Sequence, residues 1–447
     1  MIELLRRAAR DAPEHPALVT AEGEVTFGQL CERAETVAGA LRERGIERLA
    51  VLVDDPLVTW VLLAGASLAG AEACLYPVAA TDETVQGLRG QLRHDRIVTS
   101  RPLDTAGVVP PDELVGGPRL VDEPPASRRL LVLTSGTTTG TPQAAQHEWS
   151  RLLRVAERID PAPDQRWLLA YGLNQFAGLQ MLIHVAAAQA TLVVGRSFQP
   201  RDGLDAMRRA QVTHASGTPT FWRFLLAELR ADGGNAPSLA QITLGGEAVP
   251  AALIDQLRST FPAARISQLY AATEMGLSVS VRDGEAGLPL SVLDGARDVE
   301  FKIVDGELWV RSASSMLGYF DQEPLAGSGW RASGDLVEVI GDRIHFQGRK
   351  SEVINVGGVK VHPLPIEDRV SAVPGVAVVR AFGRANAMVG QIVAIEVVPV
   401  EGADEDALRD AIAAAVGDLP PAARPRSIRF VATIDVSGNK LTRGSRS

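Results

Sequence analysis

The sequence has few cysteines, and no metal-ligand pattern surrounds them. Cys31 and Cys74 are the only two among 447 residues, and they lie far apart in the chain. This spacing suggests neither a disulfide framework nor a zinc site. Both thiols are expected in the core.

The sequence also lacks an excess of positive charge and a long uninterrupted apolar run. A formal net charge of -9 and a pI near 5.4 argue against a broad binding surface for nucleic acid or anionic lipid. The first residues contain no apolar core of a secretory signal, and glycines and Glu72 interrupt the stretch 60–80. We therefore expect a cytoplasmic protein with no nucleic-acid partner and no membrane partner.

The pattern of apolar residues predicts an α/β fold in more than one lobe. Before Met275, short apolar runs alternate with helical patterns, which is typical of βαβ units and parallel sheets. After Met275 the strands are hairpin-like, with a tight turn expected at Asp305-Gly306. We predict a large N-terminal lobe of parallel-rich sheets flanked by helices plus a β-rich subdomain, and a small mobile α+β C-terminal lobe. The predicted ranges are 1–347 for the N-terminal core, about 277–347 for its β-rich subdomain, and 348–447 for the C-terminal lobe.

One segment has the composition of a polyphosphate-binding loop. Residues 130–143, LLVLTSGTTTGTPQ, begin as a buried strand and continue as a run of Thr, Ser and Gly. Glycines allow backbone N–H groups to converge on an anion, and the hydroxyls donate further hydrogen bonds. The spacing differs from that of a Walker loop, and such a segment alone is more often a surface connection.

Further motifs follow this loop in a fixed order, and together they resemble one known family. The chain resembles the AMP-forming superfamily of acyl-CoA synthetases, peptide-synthetase adenylation domains and luciferases, whose signature typically begins TSGTTGxPK. Seven ordered elements over about three hundred residues make chance agreement very unlikely. After the loop they are GGEA at 245–248, YAATE at 270–274, GELWVRSASSMLGY at 306–319, WRASGDL at 330–336, GR at 348–349, GGVK at 357–360 and SGNKLTR at 437–443.

The resemblance implies a site for ATP and Mg²⁺. Glu274 would bind the metal and Thr273 would contact a phosphate of the nucleotide. Asp335 would accept hydrogen bonds from both ribose hydroxyls with help from Arg349, and Lys440 would bring its charge to the transferring phosphoryl and acyl oxygens. The other nucleotide-binding residues that the resemblance implies are Thr134, Ser135, Gly136, Thr137, Thr138, Thr139, Gly245, Gly246, Glu247, Ala248 and Tyr270.

Enzymes of this family rotate the C-terminal lobe between the two half-reactions. The hinge is commonly Asp or Lys two positions after the arginine of the GR element, and Ser351 occupies that position here. Lys360 lies beside two glycines, where a lysine can steer the phosphate of CoA or phosphopantetheine but is more often a solvated charge.

The phosphate loop departs from the family pattern. It has one residue more than SGTTGxPK, and Gln143 replaces the usual lysine. Glutamine donates hydrogen bonds but cannot neutralise charge, so pyrophosphate would be held less tightly or by another cation, such as Lys440 or an arginine.

The segment predicted to bind the acid also departs from the pattern. Many acyl-CoA synthetases have a histidine or an aromatic gate just before its glycine, whereas this chain has Asn174, Gln175 and Phe176. The small residues Gly178, Ala271 and Ala272 would leave room for a flat or branched acyl group. The pocket is expected at the carboxyl ends of parallel strands.

The resulting prediction is an AMP-forming ligase. It would activate a small aryl or short carboxylic acid as its acyl-AMP, release pyrophosphate, and transfer the acyl group to CoA or to the phosphopantetheine thiol of an acyl carrier protein. Two alternatives remain: AMP-forming activation of an unusual reactant, such as nitrite for coupling to an aromatic amine in natural-product biosynthesis, and a noncatalytic nucleotide-binding homologue.

Overall fold

The computed structural model describes residues 1–134, 142–295, 298–323, 329–434, 436–437 and 440–441. Within these residues the strands form four sheets of five or more strands and one two-stranded ribbon. The predicted hairpin around Asp305-Gly306 is present, and both turn residues have positive φ angles, 50° and 76°.

The first sheet contains the strands on both sides of the predicted phosphate loop. Arg129–Thr134 and Gln143–Glu148 pair in an antiparallel manner, so the loop joins two hairpin strands. The next strands on one side are parallel, as the alternating pattern predicts. The strand order is Gly318–Tyr319, Gln143–Glu148, Arg129–Thr134, Glu72–Leu75, Arg48–Val51, Arg96–Val98 and Val108–Val109.

The second sheet positions most of the predicted site. Four neighbouring strands, from Arg166–Leu169 to Arg265–Ala272, run parallel, and their carboxyl ends therefore lie at one edge. The segments after these strands begin at residues 170, 218, 246 and 273, which contain most of the predicted acid pocket and the glycine turn. The strand order is Gly276–Val281, Arg265–Ala272, Gln241–Gly245, His214–Gly217, Arg166–Leu169, Thr191–Val193, Pro16–Val19 and Glu24–Thr26.

The third sheet is antiparallel and corresponds to most of the predicted β-rich subdomain. Two strands within or at the edge of 277–347 pair elsewhere: Gly276–Val281 in the second sheet and Gly318–Tyr319 in the first. The strand order is Leu288–Pro289, Arg343–Arg349, Arg331–Ile340, Glu307–Ser312 and Val299–Val304.

The fourth sheet lies C-terminal to the third. The predicted lobe boundary at 348 falls inside the strand Arg343–Arg349, and its exact position stays a prediction. A ribbon formed by Val436–Ser437 and Lys440–Leu441 follows. The fourth sheet contains Val359–Val361, Ile354–Val356, Gly390–Pro399, Val376–Asn386 and Ser427–Phe430.

Local capping determines where several helices begin. In the helix Pro56–Ala69, the Asp55 carboxylate accepts the first backbone N–H groups, and Gly70 ends the helix in the left-handed conformation. The described α-helices are Ile2–Asp11, Phe27–Glu43, Pro56–Ala69, Asp82–Leu92, Asp112–Val115, Trp149–Leu152, Phe176–Ala188, Pro200–Arg209, Pro219–Asp232, Ala251–Thr260, Pro363–Ser371 and Glu405–Ala415, and the 3₁₀ helices are Leu153–Arg158, Leu290–Asp294 and Lys350–Glu352.

The largest hydrophobic cluster joins the first two sheets through helices between them. It includes Leu49 of the first sheet, Leu192 of the second and Trp60 of the helix Pro56–Ala69, all fully buried. The two cysteines are buried, as expected. No helix among the described residues combines the length and apolar character that crossing a bilayer requires.

Candidate active site

Asp335 lies at the centre of a hydrogen-bonded group at the edge of the second and third sheets. The Tyr270 hydroxyl donates to its Oδ2 at 2.7 Å, and Nε of Arg349 lies 3.0 Å from its Oδ1. Asp335 and Arg349 are direct partners across neighbouring antiparallel strands, which explains their contact. Asp335 is only 9% exposed, and Ser333 Oγ accepts its backbone N–H.

The electrostatics of this group keep Tyr270 neutral and Arg349 charged. Burial, followed by the Asp335 charge, raises the pKa of Tyr270 well above its usual value. The same carboxylate raises the pKa of Arg349. Tyr270 stacks on Phe346 with ring centroids 5.3 Å apart, which fixes the ring beside the carboxylate. The arrangement presents a carboxylate with fixed orientation to a polar ligand.

Glu274 lies one turn beyond the carboxyl end of the strand Arg265–Ala272. The Tyr319 hydroxyl donates to its Oε1 at 3.1 Å, and the backbone N–H of Met316 donates to its carbonyl at 3.1 Å. Burial, followed by the Glu274 charge, raises the pKa of Tyr319, so the phenol remains a donor at neutral pH. Glu274 is therefore an oriented, ionisable oxygen ligand.

The donor set suits Mg²⁺ bound together with a ligand's phosphates. No group of three or more His, Cys, Asp or Glu side chains in the described part of the chain is arranged to hold a metal on its own. Mg²⁺ in nucleotide sites commonly uses one or two carboxylates and completes its shell with phosphate oxygens and water. A single carboxylate held by Tyr319 fits this requirement.

The glycine turn follows the strand Gln241–Gly245. Gly246 has a φ of 84°, which glycine adopts without strain. Glu247 Oε2 accepts the N–H of Thr220 at 3.0 Å, so this carboxylate connects the turn to the start of the helix Pro219–Asp232. Ala248 is half-buried beside it.

The predicted acid pocket contains buried polar atoms without partners among the described residues. Oε1 of Gln175 is one of them. His147 was not predicted as a site residue, yet it is fully buried, and its ring lies 5.5 Å from that of Phe176. Neither ring nitrogen forms a hydrogen bond of ordinary geometry, although the backbone of Thr273 lies beside the ring. Burial lowers the pKa of His147 to about 4, so the imidazole is neutral at pH 7.

The small residues of the pocket differ in their surroundings. Ala271 and Ala272 are half-buried at the end of their strand. Gly178 is buried, and a β-carbon there would lie 2.4 Å from the carbonyl oxygen of Gly172. This close approach of helix and loop is a packing reason for glycine. Asn174 lines a cavity of about 10 Å³ with Gln175 and the apolar residues around it.

The other predicted residues lie in or next to the phosphate loop, in the C-terminal ribbon and at the hinge, and some of them fall outside the described residues. Thr134 ends its strand, and its hydroxyl donates to the Gln143 carbonyl at 3.3 Å. Ser135, Gly136, Thr137, Thr138 and Thr139 lie outside the described residues, as does the Lys440 side chain. The strand Lys440–Leu441 lies against the helix Pro219–Asp232. Ser351 is exposed in the short helix that connects the third and fourth sheets.

Comparison with known proteins identifies the family. The profile of the AMP-binding enzyme family matches residues 67–320, and that of the AMP-binding enzyme C-terminal domain matches residues 365–440. The chain belongs to the AMP-binding enzyme family. The predicted superfamily and the predicted AMP-forming ligase class are thus confirmed.

Individual members of the family are similar to this chain over different shares of its length. Feruloyl-CoA synthase of Amycolatopsis sp is 27% identical, with 98% of this chain and 96% of the relative covered. The 2-succinylbenzoate–CoA ligase of Escherichia coli (strain K12) is 29% identical over 59% of this chain and 57% of its own length. The crystal structure of an anthranilate CoA ligase in complex with anthranoyl-AMP has a TM-score of 0.87 at 20% identity, covering 98% of this chain and 94% of that one. This likeness confirms the predicted fold.

Three residues of this AMP-binding enzyme were not among the predicted site residues: Tyr319, His147 and Arg331. Tyr319 falls within the motif at 306–319, but its strand pairs with Gln143–Glu148 and thereby reaches Glu274. His147 has no distinct sequence signal, because it lies in the mostly polar strand Gln143–Glu148, two residues before the helix Trp149–Leu152. Arg331 lies within WRASGDL, a motif in which only the aspartate is predicted as a site residue.

Proposed function

We propose that the enzyme uses ATP to activate a small aromatic carboxylic acid as its acyl-AMP and then transfers the acyl group to CoA. The observation that supports this most directly is the meeting of Tyr270, Asp335 and Arg349 beside Glu274 and Tyr319 at one edge of the second sheet. The group around Asp335 suits a ribose, and the pair of Glu274 and Tyr319 suits a metal bound to phosphates.

The Asp335 carboxylate binds the ribose hydroxyls. An ionised carboxylate has two oxygens and about four lone-pair positions. Tyr270 and Arg349 each use one position, on different oxygens, which leaves one on each oxygen for a ligand hydroxyl. Because the phenol and the guanidinium hold the carboxylate in place, the side chain loses little conformational entropy when the nucleotide binds.

Glu274 would hold Mg²⁺, which would supply positive charge to the phosphate oxygens, and Thr273 would contact a phosphate. Tyr319 fixes the rotamer of Glu274 through its hydroxyl. The carboxylate of the acid attacks the α-phosphorus, the bond to the β-phosphate oxygen breaks, and pyrophosphate leaves with those electrons. Lys440 contributes a positive charge to this step.

In the second half-reaction the thiol sulfur of CoA bonds to the acyl carbon. The bond from that carbon to the AMP oxygen breaks, AMP departs, and the thiol proton passes to solvent. Rotation of the C-terminal lobe about Ser351 would remove Lys440 from the site between the two steps. A carrier-protein thiol would satisfy the same chemistry as CoA.

The similarity to relatives supports an aromatic acid. Feruloyl-CoA synthase, 2-succinylbenzoate–CoA ligase and an indoleacetate–CoA ligase that is 29% identical are all named for acids with an aromatic ring. The pocket offers Phe176 as a ring contact and two neutral polar groups, His147 and Gln175, which suit substituents able to hydrogen-bond.

ATP–pyrophosphate exchange with single acids tests the proposal. Ferulate, 2-succinylbenzoate, indoleacetate, anthranilate and short aliphatic acids are supplied one at a time, and thioester formation with CoA is followed by mass spectrometry. We expect acid-dependent exchange that Lys440→Ala abolishes, while Lys302→Ala, at a cation–π contact with Trp330, retains it. Absence of exchange with every acid, with AMP binding intact, would contradict the proposal and favour the noncatalytic alternative.

Two glutamines are the reason to assay the nitrite alternative directly. Gln143 and Gln175 place neutral amides at two positions where the family pattern has other groups. AMP formation from ATP with nitrite and an arylamine, without a response to any carboxylic acid, would favour it.

A further inference from the structure

The first 301 residues contain no lysine to balance the phosphates of ATP. The four lysines of the chain are Lys302, Lys350, Lys360 and Lys440. Lys302 lies over two tryptophan rings, and Lys350 pairs with Glu307 at 3.2 Å. Lys360 is exposed in the fourth sheet. Apart from Lys440, the cations for the phosphates must therefore be arginines.

Arg331 lies in the same strand as Asp335 and faces the core of the third sheet. It is paired with Val310 across the sheet, and directly opposed residues of antiparallel strands project from the same face. Val310 and Met275 belong to one buried cluster, against which Tyr270 packs. The strand is irregular between Arg331 and Asp335, because Ala332 pairs with Trp309 and Leu336 with Glu307, so the two residues lie closer together than four residues of a regular strand would.

The charge of Arg331 is not balanced by a carboxylate in the described part of the chain. Its Nε is buried and has no hydrogen-bond partner there. The pKa of Arg331 is lowered by burial and then by the neighbouring charge of Arg151, while Tyr319 raises it. Arg331 and Tyr319 are thus electrostatic neighbours, and the Tyr319 hydroxyl donates to Glu274.

Arg151 adds a second guanidinium close to Arg331. Its Nη1 donates to the Ser315 carbonyl at 3.2 Å, and no carboxylate among the described residues pairs with it. By contrast, Arg154, one turn later in the chain, pairs with Asp298 at 3.2 Å. Two partly buried guanidinium groups close together and without carboxylates repel one another, and a bound anion would remove that cost.

We propose that Arg331 and Arg151 bind the β- and γ-phosphates of ATP and the departing pyrophosphate. Guanidinium groups bind phosphate oxygens in a bidentate manner, which suits this position beside Glu274. Arg151 follows the carboxyl end of the strand Gln143–Glu148, and its partner Ser315 directly precedes Met316, whose backbone N–H donates to the Glu274 carbonyl. The inference rests on the proposed use of ATP.

Calorimetric binding of ATP, pyrophosphate and AMP to the full chain tests this assignment without any acid or CoA. We expect Arg331→Gln and Arg151→Gln each to weaken ATP and pyrophosphate about tenfold or more while changing AMP less than about twofold. Arg154→Gln, the matched control, should leave all three dissociation constants unchanged. Arg331→Lys, which keeps the charge but loses the bidentate geometry, should weaken ATP binding less than Arg331→Gln does.

Equal weakening of ATP and AMP would show that Arg331 only positions the strand of Asp335, and unchanged ATP binding would overturn the inference. Normal ATP binding by Arg331→Gln in an enzyme with acid-dependent exchange would refute this inference alone. A selective loss of ATP binding in an enzyme without exchange would refute only the proposed function.

Discussion

Replacement of Asp335 by Asn changes the charge of the proposed ribose site while preserving its shape. The new amide oxygen can still accept from the Tyr270 hydroxyl, but its NH₂ group would face Arg349 in place of the Oδ1 oxygen that now lies 3.0 Å from Nε. The Arg349 side chain is 47% exposed, so water screens much of the lost pairing. We expect the free energy of unfolding to fall by about 1 kcal/mol or less.

The effect on nucleotide binding should be much larger. Hydrogen bonds to a charged acceptor contribute about 1.5 to 3 kcal/mol each. If Asp335 binds both ribose hydroxyls, the variant loses one such acceptor oxygen and the charge on the other. AMP should therefore bind at least about tenfold more weakly, and up to a few hundredfold.

A double-mutant cycle with modified ligands distinguishes direct contact from a general disturbance. AMP, 2′-deoxy-AMP and 3′-deoxy-AMP are titrated calorimetrically into the wild type and Asp335→Asn. The wild type should lose about tenfold or more for each missing hydroxyl, and the variant only about twofold to threefold for at least one of them. Deoxy penalties of equal size in both proteins would show that Asp335 does not contact the ribose. Asp298→Asn, at a surface pair with Arg154, is the control.

Three further predictions concern other polar groups. Tyr319→Phe removes the donor to Glu274 and should raise the Mg²⁺ concentration for half-maximal ATP binding by about tenfold without changing the affinity for AMP. The control Tyr76→Phe, which loses a contact to His94, should leave this Mg²⁺ concentration unchanged. An unchanged Mg²⁺ requirement in Tyr319→Phe would show that Tyr319 does not influence the metal site. Burial lowers the pKa of His94, His147 and His184 to about 4, so between pH 4 and 6.5 the unfolded chain binds more protons than the folded one, and stability should rise with pH through that window. Urea titrations near pH 5 should show roughly three protons taken up by these groups on unfolding, and about one fewer for His147→Leu; an equal slope for both proteins would contradict a neutral buried His147. Glu396→Gln removes the carboxylate charge that pairs with the buried Arg380, whose side chain is 3% exposed, and should destabilise the fourth sheet by about 3 kcal/mol in thermal unfolding. Glu300→Gln, at an exposed pair, should destabilise by under about 1 kcal/mol, and similar losses in the two variants would count against the burial argument.

Sequence reasoning predicts the elements more fully than their pairing. The alternating pattern predicts parallel strands before Met275, and the carboxyl ends of such strands meet at one edge, as the segments after residues 169, 217, 245 and 272 do. The contact of Asp335 with Arg349 depends on the register of two antiparallel strands, which no local pattern specifies. The resemblance supplied both residues, but their mutual contact required the structure.

Tyr319 and Arg331 show a different reason for the missed residues. The strand Gly318–Tyr319 is only two residues long, too short for a periodic signal, and it leaves the β-rich segment to pair with the first sheet. Arg331 resembles any surface arginine in sequence, and only the face of its strand and the absence of a carboxylate partner among the described residues distinguish it. A charge without a partner is a property of the folded surroundings.

The site lies where three sheets meet, and this has a consequence for its function. Tyr319 belongs to the first sheet, Glu274 follows a strand of the second, and Asp335 belongs to the third, so the hydrogen bonds from Tyr319 to Glu274 and from Tyr270 to Asp335 each join two sheets. A ligand that contacts both Asp335 and Glu274 would tie the three sheets together and stabilise their relative placement. ATP with Mg²⁺ spans both groups, whereas AMP reaches only the ribose end. The difference in thermal stabilisation between the two ligands at equal saturation should therefore depend on Tyr319, because its hydroxyl is what joins the first sheet to the metal end.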